Sequence, residues 1–300
     1  MKVILNGRLV PEPEAVVSAF DRGFLHGDGL FETLRLYDGR PFGWAQHLAR
    51  LQRGAGLLDL ALPFDPAALR DLADDLVIEN RMPNAVLRIA VSRGVGPRGY
   101  SPKGAGPPTL VMSLHPAPVL DPENPPCWRL MRSSFSVPAG DQLACAKHAS
   151  RLVHVLARAE AEAKGFDEAL LLNSFGEVAE ATSSNLFWIE SGTACTPPLS
   201  SGALGGVTRG LVLELCATLR VPVQERSAPF HALERADGIF LTQSVWEIVS
   251  VHSIDNHPVG QAAVVGQIRA AFGEWVHRET QPRSPPGRTS TPAPSGACEG

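Results

Sequence analysis

Residues His115–Pro126 read HPAPVLDPENPP and contain five prolines. Proline lacks a backbone donor and fixes its own φ, so this run can form neither a helix nor a central strand. It predicts a linker over residues 116–126 that separates a unit of residues 1–115 from one of residues 127–279. Three hundred residues accommodate two units of ordinary size. With 44% hydrophobic and 19% charged residues, both units can bury a core. After Glu279 the chain reads TQPRSPPGRTSTPAPSGACEG. That is too little apolar matter to pack, so residues 280–300 are expected to be a disordered tail.

Turn and periodicity signals fill in both units. Asn6-Gly7 between Val3–Leu5 and Arg8–Val10 predicts a type I′ hairpin, and Asp38-Gly39 between Phe31–Leu36 and Pro41–Trp44 predicts a second. His47, Leu48, Leu51 and Leu58 fall at helical spacing, and Asp65-Pro66 opens another helix running to about Asn80. Ala85–Ser92 and Thr109–Leu114 read as strands flanking a Gly/Pro-rich loop, Gly94–Pro108. In the second unit, strands are expected over Trp128–Val137, Ala169–Asn173, Asn185–Glu190, Gly238–Thr242 and Ile248–Val251. Helices are expected over Ser150–Lys164, Val207–Leu219 and Val264–Glu279, the first with Leu152, Val155, Leu156 and Ala159 on one face.

Several classes of protein are disfavoured. A net charge of −4 gives no electrostatic footprint for nucleic acid. No apolar run reaches the length of a membrane helix. The Asn-Gly turn falls where a signal peptide would have its apolar core. Five cysteines, odd in number and without a C-x-x-C pair, point to neither a disulfide framework nor a metal knot. A reducing cytoplasm is the expected setting.

Chemistry begins with the lysines, because the chain has only four: Lys2, Lys103, Lys147 and Lys164. Lys147 follows small apolar residues and precedes a helix. An amine desolvated there could be neutral, as Schiff-base chemistry requires, although on position alone a surface lysine before a helix is the stronger reading. Glu180 stands in VAEATSSNLF, where a buried carboxylate needs hydrogen bonds and could hold a proton on a heterocyclic nitrogen. Leu204-Gly-Gly-Val-Thr-Arg209 opens a helix whose free N–H groups suit an anion. Arg50 and Arg98 can clamp phosphate or carboxylate. An amine, an acid, a helix N-terminus and an arginine are together what pyridoxal phosphate requires.

With these residues assembled, the sequence resembles the fold-type IV pyridoxal-phosphate enzymes. These are the branched-chain and D-amino-acid aminotransferases and aminodeoxychorismate lyase. Four motifs occur in the family's order: DRGFLHGDGLFET at 21–33, HLARL at 47–51, Lys147 before its helix, and EATSSNLF at 180–187 followed by GVTR at 206–209. The resemblance implies an α+β, two-domain fold, with a smaller N-terminal α/β domain and a larger, sheet-rich C-terminal domain. It makes Lys147 the Schiff-base lysine and pairs Glu180 with the pyridine nitrogen. The phosphate falls to Arg50, the backbone of Val207 and Thr208, and Ser244. It also implies a homodimer, with the site between domains and a partner loop closing over it.

Within the family, RGYS at 98–101 and Lys147-His-x-x-Arg-Leu152 are similar to runs of the lyase, while Ser150 stands where the lyase usually has Asn. The expected activity is therefore elimination of pyruvate from 4-amino-4-deoxychorismate to give 4-aminobenzoate. Transamination of D-amino or branched-chain amino acids with a 2-oxo acid is the alternative. Arg98, Tyr100 and His26 are the candidate substrate contacts. A decayed, non-catalytic relative is disfavoured by the presence of both Lys147 and Glu180.

Overall fold

A computed structural model describes residues 1–281. The expected tail lies outside the described residues except at its start. There Thr280 extends the last helix and donates its hydroxyl to the Val276 carbonyl.

The first part of the chain contains β1 (Lys2–Leu5), β2 (Arg8–Pro11), α1 (Arg22–His26), β3 (Gly29–Tyr37), β4 (Arg40–Pro41), α2 (Trp44–Leu58), α3 (Pro66–Asn80), β5 (Ala85–Ser92) and β6 (Thr109–Pro116). The strands form one antiparallel sheet in the order β2-β1-β6-β5-β3-β4. Both hairpins form as their dipeptides predict. Asn6 and Gly7, like Asp38 and Gly39, take positive φ, which a type I′ turn demands at both central positions. The second hairpin is shorter than expected: β4 ends at Pro41, and Gly43 at φ 65 begins α2. Asp65 caps α3 by accepting N–H bonds from Ala67 and Ala68.

The period-2 geometry of β3 gives it two roles. Leu30, Glu32, Leu34 and Leu36 point into the core beneath α2 and α3. Phe31 and Thr33 face a cavity on the other side. Farther along, Arg35 donates to the carbonyls of Val245 and Pro118, and the Tyr37 hydroxyl bonds Glu247. These bonds tie the first sheet to the second and to the proline-rich connection, which has no named element between β6 and the next strand.

The rest comprises β7 (Cys127–Val137), α4 (Leu152–Ala163), β8 (Glu168–Asn173), β9 (Val178–Ala181), β10 (Asn185–Glu190), β11 (Thr193–Thr196), α5 (Val207–Thr218), β12 (Val223–Glu225), β13 (Gly238–Gln243), β14 (Glu247–Ile254), β15 (His257–Pro258) and α6 (Ala263–Thr280). They build a mixed nine-stranded sheet, with β10 and β13 near its middle. Both faces of this centre are covered. Phe187 and Phe240 stack at 4.9 Å on the side of α5 and α6, while Leu186, Trp188 and Leu241 fill the opposite face. The continuous apolar run of β10 reflects that double burial.

Short strands β9, β11 and β12 carry too few residues to show a period and were not expected. Helix α4 is a further correction. It begins at Leu152 rather than Ser150 and buries Ala157 and Ala161, whereas Leu152, Val155 and Leu156 are exposed. The small alanine face permits close approach to β7 and β8, so the larger apolar face finds no partner within the described residues of this chain.

Candidate active site

The two sheets enclose a cavity of about 550 Å³. One wall is the outer face of the first sheet, with Phe31, Thr33 and Arg88. The others are Lys147, α4, the β9–β10 turn, the start of α5 and the turn Gln243–Val245.

Lys147 occupies the seam between the two parts. Its carbonyl accepts from Phe31 N at 2.9 Å, and Ala149 N donates to Gly29 O at 2.8 Å, so its segment is stitched to the start of β3. Burial, reinforced by repulsion from Arg50, pushes the Lys147 amine down to about 7 against the opposing pull of Glu32. Its Nζ lies 4.8 Å from the centre of the Phe31 ring.

Arg50 reaches the cavity from α2 and is held by a carboxylate that sequence reasoning missed. Glu32, 1% exposed, accepts from Arg50 Nε at 2.8 Å and Nη2 at 2.6 Å, and its Oε2 lies 2.7 Å from His47 Nδ1. His47 and Arg50, three apart on α2, share the face that meets β3. Burial alone would raise the Glu32 pKa, but the hydrogen bonds from Arg50 and His47 outweigh it and hold the carboxyl at about 2. Arg50 Nη1 donates to Gly205 O at 3.2 Å, just ahead of α5, and His47 Nε2 lies 3.4 Å from Ser244 Oγ.

Helix α5 starts at Gly206 with no side chain capping it, so the first-turn N–H groups of Val207 and Thr208 face the cavity unclaimed by a side chain. A Cβ at Gly206 would collide with Asn185 Oδ1, which explains the glycine. Arg50, Ser244 and this helix start therefore converge as an anion cradle.

Glu180 is the penultimate residue of β9 and is 5% exposed. The hydroxyls that follow it in the sequence do not hold it. Thr182 and Ser183 instead donate to Glu168, a fully buried carboxylate on the neighbouring strand. Glu180 is held from elsewhere: Leu204 N donates to Oε2 at 2.8 Å, and His154 Nε2 lies 3.1 Å from Oε1.

The structure thus brings Lys147, Arg50, Glu180, Val207, Thr208 and Ser244 around one cavity. Arg98, Tyr100 and His26 lie outside it and are exposed, with the Tyr100 and His26 rings 5.6 Å apart. Buried Arg22 fixes that loop by donating to the carbonyls of Gly99, Tyr100 and Ser101. Missed by sequence reasoning were Glu32, Arg151, His154 and Arg88. Arg88 is a lone cation in the apolar strand AVLRIAVS, and that isolation was its signal; among the described residues it makes no ion pair. No helix of the described residues is long and apolar enough to cross a membrane, and the same residues contain no cluster suited to a metal ion.

Comparison with known proteins finds relatives over nearly the whole chain. A family model described as amino-transferase class IV matches residues 29–254. The chain is 35% identical to a Methanocaldococcus jannaschii protein provisionally named a branched-chain-amino-acid aminotransferase, over 91% of this chain and 94% of that one. It is 32% identical to D-alanine aminotransferase of Bacillus licheniformis, over 88% and 92%, and 31% identical to aminodeoxychorismate lyase of Bacillus subtilis, over 84% and 86%. Among solved structures, the Escherichia coli branched-chain amino acid aminotransferase superposes with a TM-score of 0.86 at 26% identity, covering 93% of this chain and 96% of the other. Another branched-chain amino acid aminotransferase, solved with pyridoxamine 5'-phosphate, gives the same TM-score of 0.86 at 29% identity over 94% and 95%.

Proposed function

Because the chain belongs to the amino-transferase class IV family, we propose that its cavity holds pyridoxal 5'-phosphate and that the protein is an aminotransferase. The observation that carries the cofactor is the convergence of a depressed lysine amine, a buried carboxylate and an uncapped helix start on one cavity. The residues present fit the group. Arg50, Ser244 and the N–H groups of Val207 and Thr208 would hold the phosphate, and Glu180 would hold the ring nitrogen. When bound, the cofactor supplies an electrophilic carbon for amines and a sink for electrons from the substrate α-carbon. Lys147 would hold that carbon, and its amine would serve to move the substrate's α-proton. Arg88, charged and free of carboxylate partners among the described residues, offers the substrate's carboxylate a bidentate contact.

Transamination is placed first because aminotransferase names predominate among the relatives. Aminodeoxychorismate lyase is the second reading, supported by RGYS at 98–101 and by the likeness to the Bacillus subtilis enzyme. The reading also takes residues 1–115 and 127–279 as two domains, a cytoplasmic setting, and a homodimer in which a second copy brings Arg98, Tyr100 and His26 to the substrate. Exposed Phe24 and Leu25 on α1, and Leu152, Val155 and Leu156 on α4, support the dimer. The two helices meet where Gly27 lies against Ser150.

A substrate panel tests the reading. An aminotransferase turns over D-amino or branched-chain amino acids only when a 2-oxo acid acceptor is present. Release of pyruvate and 4-aminobenzoate from 4-amino-4-deoxychorismate without an acceptor selects the lyase instead. Lys147→Ala should abolish the visible cofactor band and turnover in either case. A variant that keeps both would remove Lys147 from the site.

A further inference from the structure

Glu180 faces the cavity with both oxygens already engaged. Oε2 accepts the Leu204 N–H at 2.8 Å, with Asn185 Nδ2 at 3.5 Å, and Oε1 lies 3.1 Å from His154 Nε2. His154 projects from the first turn of α4 and itself lines the cavity. Its proton follows from the geometry. A carboxylate oxygen can only accept, so the Glu180 contact is made by the tautomer that carries its proton on Nε2, and that nitrogen then accepts nothing from Arg151. Arg151, one turn earlier, places Nη1 3.3 Å from the same nitrogen. Its remaining nitrogens donate to the carbonyls of Ala146 and His148, on either side of Lys147. Arg151 thus anchors to the Lys147 segment and packs beside the His154 ring, while the hydrogen bond to Glu180 comes from His154 itself.

A carboxylate on a short flexible stem turns freely about its terminal torsion unless both oxygens are held. We propose that His154 is a positioning residue: with the Leu204 N–H, it fixes the plane of the Glu180 carboxylate and so presents that group to the ring nitrogen of the bound cofactor. The proposal rests on the cofactor reading above. Nothing in the sequence marks His154, because it sits in a helix whose apolar neighbours read as packing residues.

Two polar substitutions separate positioning from packing. In His154→Gln the side-chain amide nitrogen reaches nearly to the place of Nε2. In His154→Asn the amide stops short of it. Each apoprotein is titrated with pyridoxal phosphate and followed by fluorescence. The absorption band of the loaded protein is recorded against pH, and kcat and KM are measured separately. His154→Asn should bind the cofactor about ten-fold more weakly and lose about ten-fold in kcat, the factor expected for one hydrogen bond to a charged group. KM should change by less than about two-fold, and the pH midpoint of the band should move. His154→Gln should stay within about three-fold of the unmutated protein throughout. An Asn variant indistinguishable from the unmutated protein, or a Gln variant as impaired as the Asn one, overturns the proposal. If the unmutated apoprotein takes up no pyridoxal phosphate, the cofactor reading itself falls, and that result appears without any substitution.

Discussion

At the scale of single residues, the site depends on how charges are shared out in a confined space. Arg50 is neutralised by Glu32, Arg158 is engaged by Glu162 and Glu168, and Lys147 has no carboxylate within salt-bridge distance among the described residues. Burial, the leading cause, and the nearby Arg50 guanidinium outweigh the opposing pull of Glu32 on Lys147, which lowers its amine from the ordinary 10.5 to about 7. The neutral fraction grows as pH rises through that value. The rate at which pyridoxal phosphate adds covalently to the apoprotein should thus climb with pH and level off above about 7. Stopped-flow absorbance across pH 5–10 measures this directly. A rate still rising steeply above pH 9 would show an unshifted lysine.

Elements place these residues, and each element is set by local chemistry. Helix α2 delivers His47 and Arg50 together because three residues is nearly one turn. Helix α5 presents its N-terminus because glycine at its cap leaves the first N–H groups without a side-chain partner. Helix α3 contributes only packing: Leu69, Ala73, Leu76 and Val77 fill the core behind β3. Asp65→Ala removes its cap and should cost about 1 kcal/mol of stability. Urea denaturation would show this as a lower midpoint at unchanged slope, with turnover unaltered, because Asp65 lies away from the active-site cavity.

For the whole molecule, the decisive feature is that the cavity belongs to neither sheet alone. Arg35 spans from β3 to Val245 and Pro118, and the Lys147 segment adds to the start of β3, so the walls are held in register from both directions. The proposed homodimer would cover the exposed apolar faces of α1 and α4. Leu152→Asp combined with Val155→Asp should convert a dimer into monomers, as measured by light scattering after size exclusion. Activity should fall with it, because Arg98, Tyr100 and His26 would lose access to the cavity. A double variant that stays dimeric would place the interface elsewhere.

The sequence by itself determined the turns, the long helices and the order of the motifs, because glycine, proline, capping residues and periodicity act over a few neighbouring positions. It also isolated Lys147 among four lysines and singled out Glu180 and the glycine-capped start of α5. Only the tertiary structure decided which groups hold them. Glu32 meets Arg50 across 18 positions and His154 meets Glu180 across 26, while the hydroxyls beside Glu180 turn to Glu168. Nor could periodicity tell which face of α4 packs, since its small alanines give the closer approach and its leucines the stronger signal. Such pairings are fixed by which surfaces meet once the two sheets close on one another, and that is a property of packing rather than of any local run of residues.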